Sequence, residues 1–155
     1  AAYYVNGKAV FKKDGSHNQV QFTPSEIDLF RSKKGILTHN HPTGRGFSKA
    51  DIDLMFAHSL SEMRAVGKYG TYRMVNLTKD VRLKKWILED FESAYQIAKK
   101  QATKTTDKWL FDKVLSVEDA TKEQLATANK MIIDELWNNL SVSEFGKDYL
   151  KYIVE

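Results

Sequence analysis

Cysteine is absent from this chain, which excludes a disulfide framework, any thiolate-ligated zinc or iron–sulfur site and a cysteine nucleophile, and leaves the redox compartment undetermined. Only His, Asp and Glu could hold a metal. Long apolar runs are also absent: none approaches the roughly 18 to 20 residues of a membrane span, and the first residues lack the basic and apolar regions of a signal peptide. The chain therefore reads as soluble, without a membrane partner, and as a segment of something longer. No large charge of one sign is present. The 24 Lys plus Arg stand against 20 Asp plus Glu, and a net +4 with acids spread throughout is too modest to name a nucleic-acid partner. Proline is scarce, and both prolines and seven of the eight glycines lie before position 80, while all three tryptophans lie after it. With 42% hydrophobic residues in 155, the composition describes one globular domain or two small modules sharing a core. The shift at position 80 divides it into regions 1–80 and 81–155.

The first region carries turn signals between short apolar runs. Asn6-Gly7 separates Ala2–Val5 from Lys8–Phe11, and its tolerance of positive φ predicts a tight hairpin. Asp14-Gly15 is a second turn, and the alternation in Val20-Gln21-Phe22 predicts a third strand. Thr23-Pro24-Ser25-Glu26 has the form of a capping box with proline at the first helical position, so a helix over 24–33 follows, with Gly35 to end it. Gly35–His39 is short enough for a buried strand. Met63–Val66 and Thr71–Val75, with Gly67 and Gly70 between them, predict another hairpin.

The second region reads as helical. Trp86, Ile87, Phe91, Ala94, Ile97 and Ala98 recur at near-helical spacing, as do Leu125, Ala128, Met131, Ile132, Leu136 and Leu140, with Ser116 or Thr121 as a start and Ser143 as a later cap before Tyr149, Leu150 and Ile153. The tryptophans read as core residues. The fold class expected is α+β: a small mixed sheet with two packed helices, 24–33 and 49–60, followed by a helical C-terminal subdomain or lid.

Chemistry concentrates in residues 38 to 51. Residues two apart on a strand share a face, about 6 to 7 Å apart, so His39 and His41 can converge on one ion. Pro42 then stops the strand, Gly44 and Gly46 turn the chain, and Ser48-x-x-Asp51 starts a helix over 49–60. Asp51, in its first turn, would point back at the strand end. Two imidazoles and one carboxylate leave a fourth tetrahedral position of Zn²⁺ open to water, the arrangement of a hydrolytic site. Ser48 and Asp51 form a capping pair with or without a metal. Of the other histidines, His17 sits in a polar turn and His58 on the helix after Asp51. Arg45 lies at the loop tip.

These residues resemble the JAMM motif of the JAB/MPN metalloproteins, His-x-His-Pro, a loop, then Ser-x-x-Asp, matched here by His39, His41, Pro42, Ser48 and Asp51. The His-Asn-His-Pro-x-Gly form is most similar to the RadC-like branch and to domains appended to phage head-morphogenesis proteins. The resemblance covers about residues 3 to 76. It implies that His39, His41 and Asp51 bind zinc, that Ser48 helps stabilise the oxyanion, and that a glutamate on an upstream strand acts as general base. Two departures stand out. The loop from Pro42 to Phe47 is one residue shorter than usual, and Glu26, the only glutamate before His39, belongs to a capping box. The missing glutamate would fall at or just before Ala1-Ala2. Either the segment begins after it, or alanine replaced it, or the domain binds without cutting.

Three functions stay open. The first is a zinc-dependent hydrolase, metalloprotease-like, acting on a peptide or isopeptide bond in a protein substrate as a phage-associated or toxin-like effector domain. The second is a metal-independent ribonuclease toxin, with His39 and His41 as acid and base, Arg45, Lys49 or Arg73 supplying charge, and Tyr69, Tyr72 and Arg73 as an RNA surface. The third is a non-catalytic binding module. The partners that follow are a peptide substrate, an immunity or phage structural protein, or RNA under the second reading. Localisation could be cytoplasmic, with a phage particle, or secreted.

Overall fold

Asn6 and Gly7 hold positive φ, 51° and 75°, and this turn joins β1 (Ala2–Val5) to β2 (Lys8–Lys12) as an antiparallel hairpin. The computed structural model describes residues 1–16, 19–41, 46–78, 84–113 and 117–155. His17, the loop residues Pro42, Gly44 and Arg45, and Ser116 lie outside the described residues. The capping box at Thr23 and Glu26 forms, with Pro24 in the first turn of α1 (Pro24–Lys33). β3 (Ile36–Asn40) follows, then α2 (Lys49–Ala57), begun by a second capping box between Ser48 and Asp51. β4 (Glu62–Gly67) and β5 (Gly70–Asn76) make the second predicted hairpin. α3 (Lys84–Lys113), α4 (Lys122–Val142, capped by Thr121) and α5 (Glu144–Tyr149) complete the helices, and β6 (Leu150–Val154) ends the chain.

The protein is α+β, with one six-stranded mixed sheet in the order β2-β1-β3-β4-β5-β6. Among the described strands only β3 and β4 pair in parallel; α2 crosses over between them, as a parallel pair requires. Alternate residues Tyr3, Leu37, Met63, Ala65, Tyr72, Met74 and Tyr152 point to one face and are buried there in a single core with Phe30, Ile52, Met55, Phe91, Trp137 and Leu140 of the helices. Tyr3 ties the layers together: its ring meets Phe30 edge-on at 4.8 Å, and its hydroxyl accepts from the Gly35 amide at 2.9 Å. Gly35 is required here, since a β-carbon would come within 2.3 Å of the Tyr4 carbonyl oxygen.

Three expectations need correction. Val20-Gln21-Phe22 is not a strand: Phe22 packs its ring on Phe30 of α1 (5.1 Å between centroids) and near Phe11 (6.4 Å), a side-chain contact in place of strand pairing. The last segment is not all helical, because Leu150 and Tyr152 alternate into the core as β6 pairs with β5. Ile97 does not join the apolar side of its helix and is 62% exposed, whereas Ile87, Phe91 and Ala98 are buried.

Candidate metal centre

β3 and α2 together build the site. His39 shares the core face of β3 with Leu37, and His41 lies just beyond the strand, held by its amide donating to the Val66 carbonyl at 2.9 Å. α2 is anchored by its buried residues Ile52, Met55 and Phe56, the last packed against Phe91 of α3 (5.5 Å) and Phe145 of α5 (6.1 Å), and its N-terminus brings Asp51 to the end of β3. The Nε2 atoms of His39 and His41 lie 2.9 Å apart. His39 Nε2 is 3.3 Å from Asp51 Oδ1, and His41 Nε2 is 3.3 Å from Asp51 Oδ2. One ligand atom from each of the three residues falls within 4.8 Å of the others, so the triad is positioned to hold a metal ion.

Ser48 organises the carboxylate. Its backbone amide and its hydroxyl both donate to Asp51 Oδ2 at 2.7 Å, and the Asp51 amide donates back to Ser48 Oγ at 3.3 Å. A serine hydroxyl carries one proton, and here it is donated to Asp51. Burial alone would raise the Asp51 carboxyl. The hydrogen bonds from both imidazoles, the charge on His39 and the Ser48 hydroxyl override it and hold the group well below the usual carboxylate range. A first-turn carboxylate also gains from the positive end of the helix dipole.

The helical half reaches this site through a contact not legible in the sequence. Trp137 of α4, 1% exposed, donates its indole N–H to the Phe47 carbonyl at 3.0 Å, one residue before the Ser48 cap. The Phe47 ring stands between His39 (6.4 Å between centroids), Trp137 (6.4 Å) and Tyr152 of β6 (6.5 Å). Trp137 is a core residue, as expected, but one with a polar task. Comparison with protein-family models, curated proteins and solved structures gave no match.

The other candidates lie elsewhere. His58 caps the far end of α2, its ring 6.4 Å from Phe30. Glu26 closes its capping box and pairs with Lys13 at 2.6 Å. Lys49 pairs with Asp53 and Glu92, each at 2.8 Å. Tyr72 is buried in the core, while the next residue, Arg73, points to the opposite sheet face and binds Glu62 (2.7 Å) and Glu155 (2.7 Å), so these two do not share a surface. Continuing the antiparallel register of β1 on β3 by one step sets Ala1 beside His39. Both residues line a cleft of about 820 Å³ together with His41, Ser48 and Asp51.

Proposed function

We propose that this chain is a hydrolase domain of the JAB/MPN type, with zinc as its metal and a peptide or isopeptide amide as its substrate. The convergence of two imidazole nitrogens and one carboxylate carries the reading. The imidazole nitrogens lie 2.9 Å apart and each is 3.3 Å from a different oxygen of Asp51, so three donors of the kinds zinc takes stand within 4.8 Å of one another. Three protein ligands rather than four is the donor set of a hydrolytic site. Zinc there supplies Lewis acidity and lowers the pKa of a water towards neutrality. The chain's own residues do the positioning: Ser48 fixes the rotation of the Asp51 carboxylate, and β3 holds His39 on the cleft face.

An amide suits the cleft better than a phosphodiester. Among its described lining residues the one cation is Lys13, already paired with Glu26. Two imidazole nitrogens 2.9 Å apart also leave no space for a phosphate between them, as acid and base on its two sides would require. One observation favours a second reading, a module that binds metal without cutting. Ala1 stands beside His39, where the resemblance would place the base, and brings no carboxylate; among the described lining residues Asp14 is the other acid besides Asp51, and it is exposed.

Elemental analysis of purified protein beside a His39→Ala, His41→Ala variant tests the metal reading. Near one zinc per chain, lost in the variant, is the expected result. No zinc in either sample after incubation with it would overturn the proposal and make RNA the next substrate to try.

A further inference from the structure

The cleft in front of the metal ligands has an apolar part that metal binding leaves unused. Leu37 and Met63 line it as buried residues, 2% and 0% exposed, while Leu54, Val20 and Phe22 are half-buried. Leu37 lies two residues before His39 on the same strand face, about 6 to 7 Å away, and Met63 stands beside it in the parallel register. Leu54 lies three residues after Asp51, about 5 Å along α2. The pocket thus begins one strand step and one helical turn from the ligands, which matches the reach of a side chain from its own carbonyl. Of the charged side chains that line the cleft among the described residues, Lys13 is matched by Glu26 at 2.6 Å, Asp51 belongs to the metal site, and Asp14 is turned to solvent rather than buried against the apolar side chains.

We infer that this pocket receives an uncharged apolar side chain, of leucine size, on the residue whose carbonyl faces the metal ligands. Leu54 and Val20 set that preference. The substrate class is then a peptide with such a residue at the scissile amide, not one with glycine or a charged residue there. The inference rests on the metal reading given above.

The test uses zinc-loaded protein and two probes that share one metal-binding group, N-acetyl-leucine hydroxamate and N-acetyl-glycine hydroxamate, compared by isothermal titration. The leucine probe should bind about 10- to 100-fold more tightly, as burial of one such side chain predicts. In Leu54→Asn that preference should fall to about threefold or less, with zinc stoichiometry and glycine-probe affinity unchanged. Val20→Ser should act alike, and it covers the case in which Leu54→Asn fails to fold. Equal binding of the two probes to the unaltered protein overturns the pocket and leaves the metal site standing, and so does binding of neither probe to protein that holds zinc. Protein that takes up no zinc overturns the underlying reading, and this inference with it.

Discussion

Replacing Ser48 by alanine separates two roles for its hydroxyl, as the organiser of Asp51 or as a donor to the reaction. The substitution removes the hydroxyl's 2.7 Å bond to Asp51 Oδ2 and the 3.3 Å bond it accepts from the Asp51 amide, while the backbone bond from residue 48 to Oδ2 survives. Losing a serine N-cap costs about 0.5 to 2 kcal/mol, and losing a hydrogen bond to a charged group about 1.5 to 3 kcal/mol. One hydroxyl makes both bonds and the site is open to solvent, so the costs overlap at their lower ends, about 2 kcal/mol in all. For a chain of this size the metal-free protein should melt about 4 to 8 °C lower. A carboxylate freed to rotate is also a poorer ligand, and loss of a residue that orients a metal ligand costs about 10- to 100-fold in affinity. Competition with a chromophoric chelator measures the zinc affinity and a thermal scan the stability, with Ser48→Thr expected to restore both. Lower stability with unchanged zinc affinity would mean that the hydroxyl only starts the helix. No change in either would refute the geometric reasoning.

Trp137→Phe keeps an aromatic ring but leaves the Phe47 carbonyl without its donor, and should cost about 1 to 3 kcal/mol in urea unfolding together with a weaker zinc affinity; an unaltered midpoint would sink the idea. Glu62 is raised by burial but held below its usual range by Arg73 and Arg64. Its contribution is therefore complete above the unfolded value of about 4.3 and is lost as pH falls through the lower folded value. Melting temperatures of the native protein and Glu62→Gln should then differ most near pH 7 and converge below about pH 4, and equal values at pH 7 would contradict this. Ala1→Glu places a carboxylate beside His39, and zinc-loaded protein carrying it should gain peptidase activity over the unaltered chain. Full zinc content without any gain would favour the binding module.

What was legible in the sequence was mostly local. Asn6-Gly7 announced its hairpin, Thr23 and Ser48 announced their helices through capping boxes, and the spacing of His39, His41 and Asp51 announced the cluster, because each signal lies within a few residues of its partner. The misses have a common cause in distance. β6 pairs Tyr152 with Met74 far back in the chain, and its alternation is too short to stand out after a helix cap. Trp137 reaches the Phe47 carbonyl across 90 residues, and nothing near it predicts a polar contact. Val20–Phe22 has the pattern of a strand, yet packing of Phe22 on Phe30 outweighs that pattern.

The placement of β6 bears on how the chain is made. The metal ligands all come from residues 39 to 51, so they leave the ribosome close to one another and ahead of the residues that support them. Their buttress comes much later: Trp137 on α4, then Tyr152 against Phe47. Until residue 154 has been synthesised, β5 is an open edge whose amides and carbonyls can pair with any passing strand. A chain stopped before β6 would carry its metal-ligand segment on a sheet whose β5 edge is unpaired and open to association.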